Sequence, residues 1–219
     1  MIEEAVKKIL AEVPEDVRVV AAIKTRTADE VLRAIDAGIK YVGENYVKEA
    51  QDLHPAIGNK AAWHMIGTAQ SNKAKVIAQL FDMVESVDSF RFAKALDARC
   101  GKIGKKMPVL LEINSAREEQ KSGIMPEDAL DVIKSVSTLP NLSVQGLMTM
   151  GPLLEDPEKI RPYFKITKEL FEDIKKQAVP NVEMKYLSMG MTSTYRVGIE
   201  EGANIVRVGT LLFGERHYH

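Results

Sequence analysis

The chain has 219 residues, with 30 basic and 31 acidic side chains, a net charge of −1, 45% hydrophobic residues and 28% charged ones. This balance fits a globular core under a mixed-charge surface; it excludes a disordered chain and lacks the basic footprint of a nucleic-acid binder or a polybasic membrane protein. The single cysteine cannot close an internal disulfide, no charged-then-apolar leader precedes residue 20, and the apolar runs are strand-sized. The expectation is a cytoplasmic, single-domain protein over residues 1–219 whose partner is a small molecule rather than nucleic acid or membrane.

Ile2, Val6, Ile9 and Leu10 recur at helical spacing, which predicts a helix over residues 1–12, ended by Pro14. In RVVAAIKTRT (residues 18–27), Val19 to Ile23 read as a strand buried on both faces, and Lys24 stands at its carboxyl end, where such sheets place ligands. Taken alone, Lys24 has two readings: a solvated residue ending a hydrophobic strand, or an amine kept in a partly dry pocket for Schiff-base chemistry. Residues 28–37 form a helix stopped at Gly38, and Tyr41-Val42 is a short strand leading into Gly43-Glu44-Asn45-Tyr46 and a helix through Gln51 or beyond.

The third unit runs from Ala61–Ile66 into the polar segment 67–73, and Asp82–Glu85 is a fourth strand. Asp88 or Ser89 caps the next helix, where Phe92, Leu96, Cys100 and Ile103 form a core stripe, with Lys102, Lys105 and Lys106 as its solvated end. Met107–Ile113 is a fifth strand; residues 114–125 are long for a plain connector and read as a binding loop. A helix from Pro126 turns Leu130, Ile133 and Val136 inward, Ser143–Leu147 is a sixth strand, and residues 160–174 form a strongly amphipathic helix. Glu183–Leu187, then a helix to Gly202, then Ile205–Val208 complete the pattern.

Eight strand-then-helix units with short connections predict an α/β fold of the single-domain (β/α)8 TIM-barrel type. The segments Ile35–Gly38 before Val42 and Ile199–Gly202 before Val206 echo one another as helix, glycine stop and short buried strand. In such a barrel the loops after strands seven and eight usually grip phosphate; here they offer Ser188-Met189-Gly190 and Gly209-Thr210. Lys24 on the first strand would face the same mouth, an arrangement suited to a phosphorylated aldehyde. Arg207 alternates inward on the last strand and reads either as a contact to that ligand or as an ion pair closing the barrel. His64 reads as a ring contact or a hydrogen-bonded core histidine. No histidine pair has ligand spacing apart from the terminal His217 and His219, so no metal is expected.

The segments AAIKTRT, VGENYVKEAQDL, WHMIGTAQSNKAK, ESVDS, LLEINSAREEQKSGI, GLMTM, LSMGMTSTY and VRVGTLLFGER run nearly end to end, and through them the sequence resembles the pyridoxal 5′-phosphate (PLP) homeostasis family. That resemblance implies a barrel like the amino-terminal domain of alanine racemase, among the fold-type III PLP proteins. It places the cofactor lysine on Lys24, phosphate contacts on Ser188, Met189, Gly190, Gly209 and Thr210, the arginine beside the pyridine nitrogen on Arg207, and the ring-side asparagine on Asn45, with His64 near the ring. The sequence departs from the family pattern at Ile23, at Thr68-Ala69 and at Thr194.

The resemblance implies PLP held as an internal aldimine on Lys24 and buffered or delivered, with transient contact to PLP-dependent apoenzymes and a monomeric state. An arginine beside the pyridine nitrogen disfavours its protonation and weakens the ring as an electron sink. Racemases with that arrangement carry a second base on a further domain, which a one-barrel chain does not supply, so the reading is a carrier more than an enzyme. The competing readings are a weak PLP-dependent racemase or other PLP enzyme, a Schiff-base aldolase, and a scaffold whose surface does the work.

Overall fold

A computed structural model describes residues 1–215, and the terminal pair His217 and His219 lies outside the described residues. The strands β1 (Arg18–Ala22), β2 (Tyr41–Glu44), β3 (Ala62–Met65), β4 (Met83–Val87), β5 (Met107–Glu112), β6 (Leu142–Met148), β7 (Val182–Ser188) and β8 (Ile205–Val208) pair in parallel and in sequence order into a closed barrel. β8 returns to β1 in the register Val20 to Arg207 and Ala21 to Val208. The helices α1 (Ile2–Glu12), α2 (Ala28–Asp36), α3 (Val47–Ile57), α4 (Ala74–Leu80), α5 (Phe90–Lys102), α6 (Ala129–Val136), α7 (Arg161–Lys176), α8 (Tyr195–Glu200) and α9 (Thr210–Phe213) alternate with them. The predicted (β/α)8 barrel is the observed one, and among the described residues no helix is long and apolar enough to cross a membrane.

Strand alternation sorts the core into two layers. Val20, Ile66, Met83, Leu110, Met148, Tyr186 and Ile205 fill the barrel, while a larger shell that includes Val19, Ala21, Val42, Trp63, Phe92 and Phe164 packs between staves and helices. The amino end of the barrel is plugged by the Arg18 guanidinium, which lies 5.0 Å from the Tyr41 ring centroid and 4.2 Å from that of Tyr186 and donates to the Tyr186 hydroxyl. Where β6 and β7 approach most closely, Gly146 sits at φ +146°, and a Cβ there would fall 1.8 Å from the Tyr186 carbonyl oxygen.

Several local expectations shift. Cys100 is buried in the α5 stripe, but Ile103 is 48% exposed, because α5 ends at Lys102 and Gly104, at φ +65°, turns the chain away. Lys105 is not a solvated end residue: its Nζ donates to the carbonyls of Ala78 at 3.1 Å and Phe81 at 2.5 Å, satisfying acceptors at the end of α4. β2 runs on to Glu44, and α3 runs to Ile57 with Pro55 inside it. The echo between residues 35–38 and 199–202 is structural, since Gly38 and Gly202 both stop helices at positive φ, +124° and +93°.

Candidate functional site

Lys24 lies two residues beyond the end of β1, in a turn whose next residue, Thr25, holds φ +63°. Its Nζ donates to the Tyr46 hydroxyl at 3.0 Å and stands 4.7 Å from the Tyr46 ring centroid. The turn is fastened on both sides: the Thr25 N–H donates to Glu49 Oε2 at 2.7 Å, and the almost fully buried Arg26 side chain donates to the carbonyls of Phe213 and Gly214 at the end of α9. Thr27 then starts α2 with a capping box to Glu30. Gly209, which opens α9, lies against the end of β1, where a Cβ would meet the Ala22 carbonyl at 3.3 Å. The amine-bearing turn and the turn after β8 are therefore adjacent pieces of one rim.

At that rim the α9 carbonyl of Gly209 takes the N–H groups of Leu212 and Phe213, leaving those of Thr210 and Leu211 without an intrahelical acceptor. The Gly209 N–H donates to the Thr192 hydroxyl at 3.2 Å, which joins the loop after β8 to the loop after β7. Gly190, at φ +97°, allows the close approach of α8, since a Cβ would fall 2.8 Å from the Tyr195 Cα. Met189 turns its side chain into the outer shell and its N–H donates to the Ile205 carbonyl, so only its backbone belongs to the rim. Thr194, at a position where the sequence departs from the family pattern, closes the same loop by accepting the Met191 N–H at 3.0 Å.

Beneath the mouth a charged chain crosses the barrel. His64 Nδ1 meets Glu85 Oε1 at 2.6 Å, the Ser188 hydroxyl donates to Glu85 Oε2 at 2.5 Å, and Arg207 donates to the Ser188 hydroxyl and, at 2.8 Å, to the Thr149 carbonyl. Because the carboxylate only accepts, His64 carries its proton on Nδ1. Burial pushes Glu85 up, but His64, Arg207 and Ser188 together outweigh it and hold the carboxyl below its ordinary range. Burial likewise draws the Arg207 pKa down, opposed by Glu85 and Glu112. His64 is thus buried and hydrogen-bonded, and Arg207, turned inward, has Nη1 3.9 Å from Glu85 Oε2. Ser188 places its hydroxyl in this chain, between Glu85 and Arg207.

Asn45 ends β2 in a bend braced by Glu44, whose Oε1 accepts the N–H groups of Asn45 and Tyr46 at 2.7 and 3.1 Å. Gly67 is required beside it, since a Cβ would fall 2.5 Å from the Asn45 carbonyl oxygen. Across the mouth the 114–125 loop folds on itself through Asn114 and Glu118, bonds Thr68 to Ser122 at 2.9 Å, and borders a cavity of about 410 Å³ reached by Glu112, Met150 and Met191. Among the described residues no group of three metal-ligating side chains occurs.

The model of the alanine racemase N-terminal domain matches residues 1–217. Relatives called pyridoxal phosphate homeostasis protein include one from Aquifex aeolicus, 39% identical over 92% of this chain and 88% of its own length. Another, from Pasteurella multocida, is 36% identical over 99% and 94%. The chain belongs to this family. Among solved structures, PipY of Synechococcus elongatus PCC7942 is similar to this chain both without PLP, with a TM-score of 0.92, and with PLP bound, with a TM-score of 0.90. Each is 30% identical to this chain and covers 98% of it and 100% of PipY. Alanine racemase of Clostridium difficile, at 17% identity and a TM-score of 0.79 over 56% of its length, shares the barrel fold.

Sequence reasoning missed four side chains that shape this family member's mouth: Tyr46, Glu85, Arg26 and Thr192. A signal for the carboxyls was present, since Val42-Gly43-Glu44, Met83-Val84-Glu85 and Leu110-Leu111-Glu112 each carry a glutamate at or near the carboxyl end of a buried stave.

Proposed function

We propose that this chain binds pyridoxal 5′-phosphate at the barrel mouth, attaches it through Lys24, and holds and hands on the cofactor rather than turning over a substrate. The observation that carries the reading is the shared rim: the Lys24 turn is bonded through Arg26 to the end of α9, and the first residues of α9 present unpaired N–H groups beside it. An amine next to free backbone donors, with hydroxyls from Thr192 and Thr210, is a donor set that fits a phosphorylated aldehyde. When bound, PLP supplies an aldehyde carbon to which the lysine nitrogen bonds, the aldehyde oxygen leaving as water with both hydrogens of the neutral amine.

In this reading Lys24 supplies the nitrogen. The backbone of Met189, Gly190, Gly209 and Thr210 lines the phosphate end, and Asn45 borders the ring side. Ser188 and His64 act from below, holding Glu85 and with it Arg207. Arg207 keeps a fixed cation under the mouth where a carboxylate would favour carbanion chemistry. The same reading makes the protein a cytoplasmic monomer that meets PLP-dependent apoenzymes transiently. The names of the relatives and the PLP-bound PipY structure support the cofactor.

The test is an absorbance spectrum of the purified protein with PLP before and after borohydride, followed by peptide mass mapping. The expected result is a visible band that borohydride abolishes and a pyridoxyl mass on the peptide containing Lys24. Lys24→Ala loses both while PLP remains bound noncovalently. A reduced label on another lysine, or none at all, overturns the assignment.

A further inference from the structure

We propose that Tyr46 is a latch for Lys24, holding the free amine against the β2–α3 loop so that cofactor capture requires the amine to leave the tyrosine. The proposal rests on the cofactor reading above but has its own observations. Lys24 Nζ has two contacts with one side chain: the Tyr46 hydroxyl accepts from it at 3.0 Å, and the ring lies 4.7 Å away, within cation–π range. The tyrosine sits on a fixed base, because both its own N–H and that of Asn45 end on Glu44 Oε1, and the Glu44 side chain is fully buried. The lysine turn is equally fixed by Arg26 and by the Thr25 N–H on Glu49. With both backbones held, what can move is the lysine side chain between two positions, on Tyr46 or joined to the cofactor.

Joining the aldehyde carbon replaces an ammonium with three donor hydrogens by an imine nitrogen with at most one, so the contact with Tyr46 is weaker in the loaded protein than in the empty one. Tyr46 thereby stabilises the empty protein relative to the loaded one, which is a useful bias for a protein that must give its cargo away. Its ring is 49% exposed, so replacing it leaves the core intact. Tyr46 acts through Lys24 and is a positioning residue.

Two measurements on Tyr46→Leu and Tyr46→Phe decide the matter. In cofactor-free protein, trinitrobenzenesulfonate labelling of Lys24, read by peptide mass against exposed Lys134 as internal reference, is expected to run about two- to fivefold faster in Tyr46→Leu, the scale of an exposed cation–π contact. Tyr46→Phe keeps the ring and falls between. In titrations with PLP followed by the visible band, the dissociation constant is expected to fall in the same order, so that Tyr46→Leu loads most tightly. Unchanged Lys24 labelling overturns the latch whatever PLP does. Faster labelling with unchanged or weaker PLP affinity overturns its opposition to loading. A wild-type protein that never takes PLP defeats the cofactor reading instead, and the labelling result still decides whether Tyr46 restrains Lys24.

Discussion

Glu112 ends β5 with a carboxyl that is only 7% exposed, faces the cavity beside the 114–125 loop and bonds to no other described group. Burial pushes its pKa from 4.5 to about 7, with Asp88 adding to the rise and Arg207 opposing it. A carboxyl that binds its proton more tightly when folded contributes stability below the unfolded value and loses it as pH rises through the folded one, here between about pH 4.5 and pH 7. Glu112→Gln removes that loss. In urea melts of cofactor-free protein the variant is expected to be more stable than wild type at pH 8, on the order of 3 kcal/mol, with the gap closing by pH 4. A gap independent of pH would show that the carboxyl does not titrate as described. Lys24 and the Gly209-Thr210 turn were legible because each stands just past a strand end where buried staves meet polar residues, and Arg207 because it alternates inward on β8. Which acceptor each charged group meets was not legible: Glu85 meets His64 21 residues away and Ser188 103 residues away, and only closure of the barrel brings them together.

Among the elements, β1 and α9 depend on each other through Arg26. Its guanidinium is stacked 5.3 Å from the Phe213 ring centroid and satisfies the carbonyls of Phe213 and Gly214. Arg26→Met keeps much of the packing and removes the charged donor, so a loss of about 1.5–3 kcal/mol is expected. Amide hydrogen exchange over Gly209–Phe213 is expected to accelerate more than exchange in α7, because Arg26 holds the carbonyls at the end of the four-residue α9 and does not touch α7. Equal protection in the variant would place the anchor elsewhere. This also explains why α9 went unread: a four-residue helix carries no period, and what fixes it is a side chain from the other end of the chain. The long helices were legible for the converse reason. In α7, Phe164, Thr167, Phe171 and Ile174 are all buried, in the register their spacing predicts.

At the scale of the molecule, the count of eight strand-helix units was enough to give the architecture, since short right-handed crossovers leave a parallel sheet little alternative to closing. What counting could not give is the charged chain inside. Glu85 is fully buried and offsets His64 and Arg207 at once, so Glu85→Ala leaves two buried basic groups without their partner. The expected cost is about 3–5 kcal/mol in chemical denaturation, with Glu85→Gln less severe because its amide oxygen still accepts one hydrogen bond. An Ala variant as stable as wild type would mean that the barrel interior admits solvent to those groups.

The Arg18 plug between Tyr41 and Tyr186 has a consequence for traffic. With the interior packed by Val20, Leu110, Met148 and their neighbours and a cation set between two aromatic rings beneath them, a guest at the mouth arrives and departs by the same side. Exchange of one cargo molecule for another then proceeds by vacating first, and an outgoing guest cannot be pushed through from behind.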